Sequence, residues 1–297
     1  MDDAARYDPQ YDPAWLERMY NVRAGVAEHA GYLDRWAQAS RDARAALPGW
    51  LDMPYGHDAA RETLDVFPAV EPGAPVLVFV HGGDWSSHDK NLHSFVAPGF
   101  VAAGVCVVVV NYALCPGTPE QPVTVATIAR QVERAVAWVW RHIGNHGGDR
   151  DRIVLAGHGA GAHLASLLLV SPWPLLAADL PDGMVRRVLS VSGLYDLEPV
   201  MHTPFLQRQL HLSEQQVLRL SPARLQPPHN ALLHCVVGGD ESDEYLRQCR
   251  LPQQAWGSHT VPRTDVLQGL NHFSMLDAFA QPGHDVHQMA LNLLRAM

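Results

Sequence analysis

A glycine-rich segment, Gly157-His158-Gly159-Ala160-Gly161, carries the first chemical signal in this chain. It follows a predicted strand at residues 152–156 and precedes a stretch with helical spacing of apolar side chains at residues 160–170. A strand that enters Gly-x-x-x-Gly and leaves as a helix is typical of a nucleophile elbow, a tight turn that exposes its central side chain. The glycine spacing does not fit the dinucleotide-binding pattern G-x-G-x-x-G. The central residue here is Gly159, which offers no nucleophilic atom.

A second glycine-containing loop, His81-Gly82-Gly83-Asp84-Trp85, directly follows the apolar run at residues 76–80. Backbone N–H groups of such a loop, together with the N–H of the residue after an elbow centre, can stabilise an oxyanion. The predicted oxyanion-hole donors are Gly82, Gly83, Asp84 and Ala160. The residues predicted to line the pocket are His81, Trp85 and His158, with simple packing as the alternative for His158.

Carboxylates and a histidine follow later strands in the order that an elbow enzyme requires. Asp240 and Glu241 come after the apolar run at residues 231–237, and His272 follows the last predicted strand at residues 265–268. A histidine in that place can act as a general base, and a carboxylate on its other ring nitrogen would fix its tautomer. The spacing alone leaves both carboxylates open as the acid.

The elements that position these residues alternate between strands and helices. Further strands are predicted at 62–67 (an edge strand), 105–110 and 187–191, and helices at 95–103, 123–143, 203–210, 213–218, 242–250 and 286–295. This alternation predicts an α/β fold with a mostly parallel central sheet covered by helices on both faces. Residues 13–47 have helical spacing and predict an N-terminal lid or brace. We expect one domain, residues 1–297, with residues 1–50 as a helical extension packed on it.

Composition limits the partners of this protein. The net charge of −9 and the absence of a dense basic run argue against nucleic acid. The four scattered cysteines fit a reduced, cytoplasmic protein, and no leader or membrane-spanning apolar run is found, so no membrane partner is expected. The 17 histidines form no zinc-binding motif, so neither a metal nor another cofactor is predicted. The sequence leaves a homodimer open.

Taken together, these segments resemble the arylformamidase (kynurenine formamidase) branch of the α/β-hydrolases and its bacterial esterase-like relatives. The segments that carry the resemblance are Tyr20-Asn21-Val22-Arg23, Tyr55-Gly56, residues 61–67, the His81 loop, residues 157–164, residues 192–197, Leu220-Ser221-Pro222, Glu241-Ser242, Glu244-Tyr245 and His272-Phe273. The resemblance implies an α/β-hydrolase fold, no cofactor, and an aryl formamide such as N-formylkynurenine, or a small ester, as the ligand. It also selects Glu241 over Asp240 as the acid, because the family acid immediately precedes a serine.

Two residues depart from this family pattern. The nucleophilic serine maps onto Gly159, and Asp84 stands where relatives more often carry an aromatic or neutral residue. Because glycine has no oxygen or sulfur, no acyl-enzyme can form there, and covalent hydrolysis is expected to be lost. An inward-facing Asp84 carboxylate would oppose oxyanion charge, whereas an outward-facing one would not.

Four explanations of Gly159 remain open at the level of sequence. The chain is an engineered inactive variant, a natural protein that binds an aryl-acyl ligand, a natural enzyme in which His272 and Glu241 act as a non-covalent general base, or an interaction protein that uses the fold as a platform. The last alternative gives no reason for an oxyanion loop, an acid and a histidine to be kept together.

Overall fold

The computed structural model describes residues 12–296, which form a single eight-stranded sheet with flanking helices. The strands are β1 (Trp50–Pro54), β2 (Thr63–Phe67), β3 (Ala74–Val80), β4 (Cys106–Val110), β5 (Gly148–His158), β6 (Arg187–Val191), β7 (Leu232–Gly238) and β8 (Arg263–Leu267). Their order across the sheet is β1-β2-β4-β3-β5-β6-β7-β8. β2 pairs antiparallel with β1 and with β4, and all other pairs are parallel. The predicted mostly parallel α/β architecture is therefore confirmed.

The helices of the described chain cover both faces of this sheet. They are α1 (Pro13–Tyr20), α2 (Val22–Gly25), α3 (His29–Ala46), α4 (Ala97–Ala102), α5 (Val125–His142), α6 (Ala160–Leu168), α7 (Trp173–Leu176), α8 (Glu198–Met201), α9 (Pro204–Leu210), α10 (Glu214–Leu220), α11 (Asp243–Thr260), α12 (Ser274–Ala280) and α13 (Asp285–Arg295). Side-chain caps start several of them. Thr124 accepts from Thr127 N at the start of α5, and Ser242 accepts from Tyr245 N at the start of α11.

Alternating side chains of the central strands divide the core into two layers. In β3, Val76, Val78 and Val80 belong to one buried cluster, with residues of α5 and α6. Leu77 and Phe79 belong to the other, with residues of α4, α12 and α13. Because successive side chains of a strand point to opposite faces, a continuous apolar run is what a strand covered on both faces requires.

The edge of the sheet differs from its prediction. The prediction that residues 62–67 form an edge strand is wrong, because β1 pairs outside β2 and all five residues of β2 are buried. Buried Asp65 is matched by charge, since Lys90 Nζ donates to its Oδ1 over 2.8 Å and Arg44 contacts its Oδ2. Four of the five residues of β1 are exposed, and Pro48 and Pro54 make its sequence look like turns rather than a strand.

The N-terminal helical region is interrupted twice. The prediction of helical structure over residues 13–47 becomes three helices, because Asn21 ends α1 and caps α2, accepting from Ala24 N, and residues 26–28 separate α2 from α3. Trp36 on α3 donates its indole N–H to Asp277 of α12. Residues 1–11 of the predicted extension lie outside the described residues.

Candidate functional site

The turn from β5 to α6 has the geometry of a nucleophile elbow. Gly159 has φ +54° and ψ −119°, a conformation that a residue with a Cβ rarely adopts. Its N–H donates to Val191 O over 3.0 Å, which ties the turn to the neighbouring strand β6. A Cβ on Gly161 would overlap the Val80 carbonyl oxygen, so glycine there lets α6 pack against β3. Sharp turning and close packing together account for the glycine-rich segment.

Glu241 and His272 form a hydrogen-bonded pair beside this elbow. Nδ1 of His272 lies 2.7 Å from Oε2 of Glu241, and the Glu241 side chain is only 1% exposed. Oε1 of Glu241 accepts from Ser192 Oγ over 2.5 Å and from Gly238 N over 2.8 Å. Asp240 is exposed and makes no side-chain hydrogen bond with His272. Of the two candidate acids, the structure brings Glu241 to the histidine.

His272 presents its second ring nitrogen to the elbow. An ideal Cβ on Gly159 would lie 3.3 Å from Nε2 of His272. With Nδ1 engaged by Glu241, Nε2 is the ring atom left to exchange a proton with a group in the site. Gly159 supplies no such group, so the proton donor would have to be a water molecule or a ligand.

His158, one residue before Gly159, supports the backbone of His272. Its Nε2 lies 2.8 Å from the carbonyl oxygen of His272, and the two rings are 4.3 Å apart. Burial, followed by the proximity of His272, holds the pKa of His158 well below its usual value of 6.5. His158 is therefore neutral near pH 7, and its N–H donates to a carbonyl that would otherwise be buried without a partner.

The His81 loop has backbone N–H groups that make no hydrogen bond in the described chain. Within residues 12–296, the N–H groups of Gly82, Gly83 and Asp84 donate none of the hydrogen bonds found in turns and loops. Ala160 is the first residue of α6, where an N–H has no acceptor within the helix. Gly83, Asp84 and Trp85 all have positive φ, of 106°, 54° and 55° respectively.

The Asp84 side chain faces the site rather than bulk solvent. Asp84 lines the two cavities described below. Burial raises the pKa of its carboxyl above the usual 3.8, and the nearby His272 and Arg23 partly oppose that effect. Of the two orientations that the sequence left open, the inward one is observed, which holds a carboxyl group close to the base.

Two cavities meet at this loop. The outer cavity, of about 520 Å³, is lined by Asn21, Val22, Arg23, Asp84, Ser86, Ser87, Phe205, Leu206, Arg208 and Gln209. The inner cavity, of about 20 Å³, is lined by Val22, Arg23, Trp36, Gly83, Asp84, His88, His93, His158, His272 and Phe273. Val22, Arg23 and Asp84 line both, so the outer cavity leads towards His272.

Two predicted pocket residues lie elsewhere. His81 and Trp85 are buried, and neither lines these cavities. His81 stacks on Tyr112 at 4.1 Å, and its Nδ1 lies 2.8 Å from Gly82 O. The Trp85 indole N–H donates to Nδ1 of His163 over 3.3 Å. Nε2 of His81 is buried without a hydrogen-bond partner in the described chain. Of the three predicted pocket residues only His158 reaches the cavity.

Sequence reasoning assigned no role to two polar residues of the site. Ser192 follows β6 with φ 53° and donates to the acid. Polar residues after a buried strand were the signal that indicated Asp240 and Glu241, and a polar residue also follows a buried strand at Ser192. His88 has no such sequence signal, because the loop after Trp85 carries it to the inner cavity.

Residues 12–296 contain neither a helix suited to a membrane nor a cluster suited to a metal ion. None of its helices has the length and apolar character needed to cross a membrane. Its histidine, cysteine and carboxylate side chains nowhere form a group of three or more that could hold a metal ion. All four cysteines are buried free thiols.

Comparison with known proteins gives one consistent picture. A family model described as BD-FAE matches residues 64–208. Kynurenine formamidase of Danio rerio is 28% identical, over 96% of this chain and 94% of that protein. Esterase LipQ of Mycobacterium tuberculosis is 34% identical, over 52% of this chain and 39% of that protein.

Solved structures of two other proteins superpose on most of this chain. A protein from a Silicibacter species superposes with a TM-score of 0.78 and 29% identity, covering 91% of this chain and 97% of its own. Esterase B from Lactobacillus rhamnosus superposes with a TM-score of 0.65 and 19% identity, covering 91% of this chain and 94% of its own. The second likeness is one of fold.

Proposed function

Because this chain is an arylformamidase- and esterase-like α/β-hydrolase, we propose that it binds a small aryl formamide or acyl ester and hydrolyses it without an acyl-enzyme. His272, oriented by Glu241, takes a proton from water, and the water oxygen attacks the carbonyl carbon. The N–H groups of Gly83, Asp84 and Ala160 stabilise the oxyanion. His272 then returns the proton to the leaving nitrogen or oxygen.

One observation carries this proposal: the acid–base pair is complete although the nucleophile is missing. Glu241 receives three polar contacts, from His272, Ser192 and Gly238. A buried carboxylate is costly to keep unless it is paired. Here Ser192 and Gly238 fix the carboxylate, and the carboxylate in turn orients the histidine. An oxyanion hole and substrate binding alone still supply roughly 10³- to 10⁴-fold acceleration over water when a triad member is missing.

Non-catalytic binding is the second candidate, and Gly159 itself favours it. A site without a nucleophile releases an acyl ligand unchanged if water does not replace the missing group. The outer cavity of about 520 Å³ is large enough for a ring with a short side chain. In this alternative the chain retains a small aryl-acyl ligand.

One assay separates the two candidates. The unmodified chain and His272→Ala are incubated with N-formylkynurenine, simple aryl formamides and p-nitrophenyl esters, and the products are quantified by chromatography. Catalysis predicts product formation that falls by about 10²-fold or more in His272→Ala. Saturable heat in calorimetry without product would support binding alone, and equal product formation by both chains would contradict the proposed role of His272.

A further inference from the structure

The inner cavity has room for one small molecule of polar character. Its volume of about 20 Å³ exceeds the roughly 10–15 Å³ that a water molecule needs. The aromatic rings of Trp36 and Phe273 close part of its wall, and the other lining side chains are mostly histidines. A water in such a place needs two to four polar partners.

His88 offers a polar atom that lacks a partner. Its Nε2 is buried and has no hydrogen-bond partner within the described chain. The other lining histidines have engaged ring nitrogens: Nδ1 of His93 lies 2.8 Å from Asp89 O, and Nε2 of His158 lies 2.8 Å from His272 O. Burial lowers the pKa of His88 to about 3, so the ring is neutral and has one donor and one acceptor. A buried nitrogen left unpaired is destabilising, and a water would supply the missing partner.

The cavity also borders the place where a substrate carbonyl would lie. Asp84 lines both cavities, and the neighbouring Gly83 lines the inner one. A ligand that enters the outer cavity would place its carbonyl next to these donors, with His272 on the inner side. Water in the inner cavity would then lie between the base and the carbonyl carbon.

We infer that the inner cavity is the binding site of the attacking water, held by His88 and His272 with the Asp84 carboxyl at its outer boundary. This inference rests on the proposed hydrolysis and names the residue that would position its water. As the water oxygen bonds to the carbonyl carbon, one water proton passes to Nε2 of His272. The acyl C–N or C–O bond then breaks, the proton leaves with the amine or alcohol, and the acid is released. His88 remains neutral throughout and orients the water.

Crystallography tests the site without using activity. A structure of the unmodified chain that shows ordered solvent should contain a water within hydrogen-bonding distance of a His88 ring nitrogen and of His272 Nε2. His88→Leu should lose this water, whereas His88→Gln should retain it, because an amide can still donate or accept. A dry cavity in the unmodified chain, or an unchanged water in His88→Leu, would overturn the assignment.

Kinetics separates positioning from structural support. His88→Leu should lower kcat by between about 10- and 100-fold with little change in KM, and His88→Gln should recover most of the rate. The exposed His259→Leu is the matched control and should leave turnover unchanged. In a Gly159→Ser background, His88→Leu should not slow labelling by a fluorophosphonate, since labelling needs no water. Slower labelling would show that His88 merely supports His272, contrary to the inference.

The site and the proposed function can fail separately. A bridging water in a chain that turns over none of the substrates rejects the proposed hydrolysis and leaves the water site standing. Turnover by a chain whose inner cavity is dry rejects the water site alone.

Discussion

Nε2 of His272 lies within 3.3 Å of the place where a side chain on Gly159 would begin. The histidine is therefore aimed at the central position of the elbow, which carries no side chain. Its other nitrogen is held by Glu241, so this aim does not depend on a nucleophile. The proposed function has to explain the glycine at residue 159 together with the hydrogen-bonded His272–Glu241 pair beside it.

Gly159→Ser should create a covalent hydrolase. Its Oγ would branch from a Cβ already in contact with His272, so we expect labelling by a fluorophosphonate and an ester hydrolysis rate at least about 10²-fold higher. The positive φ of 54° should cost about 1–3 kcal/mol of stability. Intact-protein mass spectrometry and stopped-flow kinetics measure both activities.

Gly159→Ala is the matched control for that variant. It adds the same Cβ and the same backbone strain but no oxygen, so it should lose similar stability and gain neither labelling nor rate. Labelling of Gly159→Ala, or no gain with Gly159→Ser, would contradict the assignment of residue 159 to the nucleophile position.

Glu241→Gln should lower kcat by between about 10²- and 10⁴-fold, because an amide neither stabilises the imidazolium nor fixes the tautomer of His272. Asp240→Asn changes the adjacent exposed carboxylate and should leave kcat unchanged. Steady-state kinetics on the same substrate compares the two variants. A larger loss in Asp240→Asn would reverse the assignment of the acid.

The strands and helices that could be predicted from the sequence are those whose apolar or glycine pattern lies within one continuous segment. The strands β3 and β5 and the elbow between β5 and α6 were predictable because their apolar runs and glycines are contiguous. β1 was missed because its exposed residues are stabilised by pairing with β2 rather than by burial. α11 was predicted to end at residue 250, before Pro252, yet it continues to Thr260 with a break in helical geometry at Gly257.

Some parts of the candidate site could be predicted from local sequence signals and others could not. Gly159, Glu241 and His272 each follow a predicted strand, so their convergence at one edge of the sheet could be predicted. The contact of His158 with the His272 carbonyl, and the position of His88 beside the inner cavity, join residues from different loops. No periodicity encodes such contacts, since they depend on how the loops pack once the sheet has formed.

Acidification should destabilise the protein below about pH 6.5. Burial lowers the pKa of His81, His88 and His93 to about 3 and of His163 to about 4, and keeps that of His158 well below 6.5. As pH falls below about 6.5, these histidines become protonated in the unfolded chain but stay neutral in the folded chain. The free energy of unfolding therefore decreases as pH falls. Each histidine contributes up to about 1.4 kcal/mol per pH unit.

Denaturant unfolding between pH 7.5 and 5 measures how the free energy of unfolding changes with pH. This range lies on either side of about 6.5, the pKa of histidine in an unfolded chain. His163→Gln removes one of these groups and should reduce the slope by up to about 1.4 kcal/mol per pH unit. Exposed His259→Gln should leave it unchanged. A flat pH profile for the unmodified chain would show that these histidines do not remain neutral in the folded state.

Asp84 should affect the free energy of unfolding in the opposite direction to the buried histidines, and Asp84→Asn tests this. Because burial raises the pKa of Asp84 above 3.8, the folded chain holds this proton more tightly than the unfolded chain. The stability that Asp84 contributes is complete below the unfolded pKa and is lost as pH rises through the folded pKa. The variant should therefore exceed the unmodified chain in stability at pH 7, by a margin that shrinks towards pH 4. Parallel unfolding curves test this, and lower stability of the variant at pH 7 would contradict it.

The proposal that this chain hydrolyses an ester without an acyl-enzyme is tested most directly by intact-mass analysis. The unmodified chain and Gly159→Ser are quenched rapidly with acid during steady-state hydrolysis of p-nitrophenyl acetate. The account predicts product release by the unmodified chain with no acetyl group on the protein, and an acetylated species for Gly159→Ser. An acetyl adduct on the unmodified chain that forms and decays at the rate of turnover would contradict it.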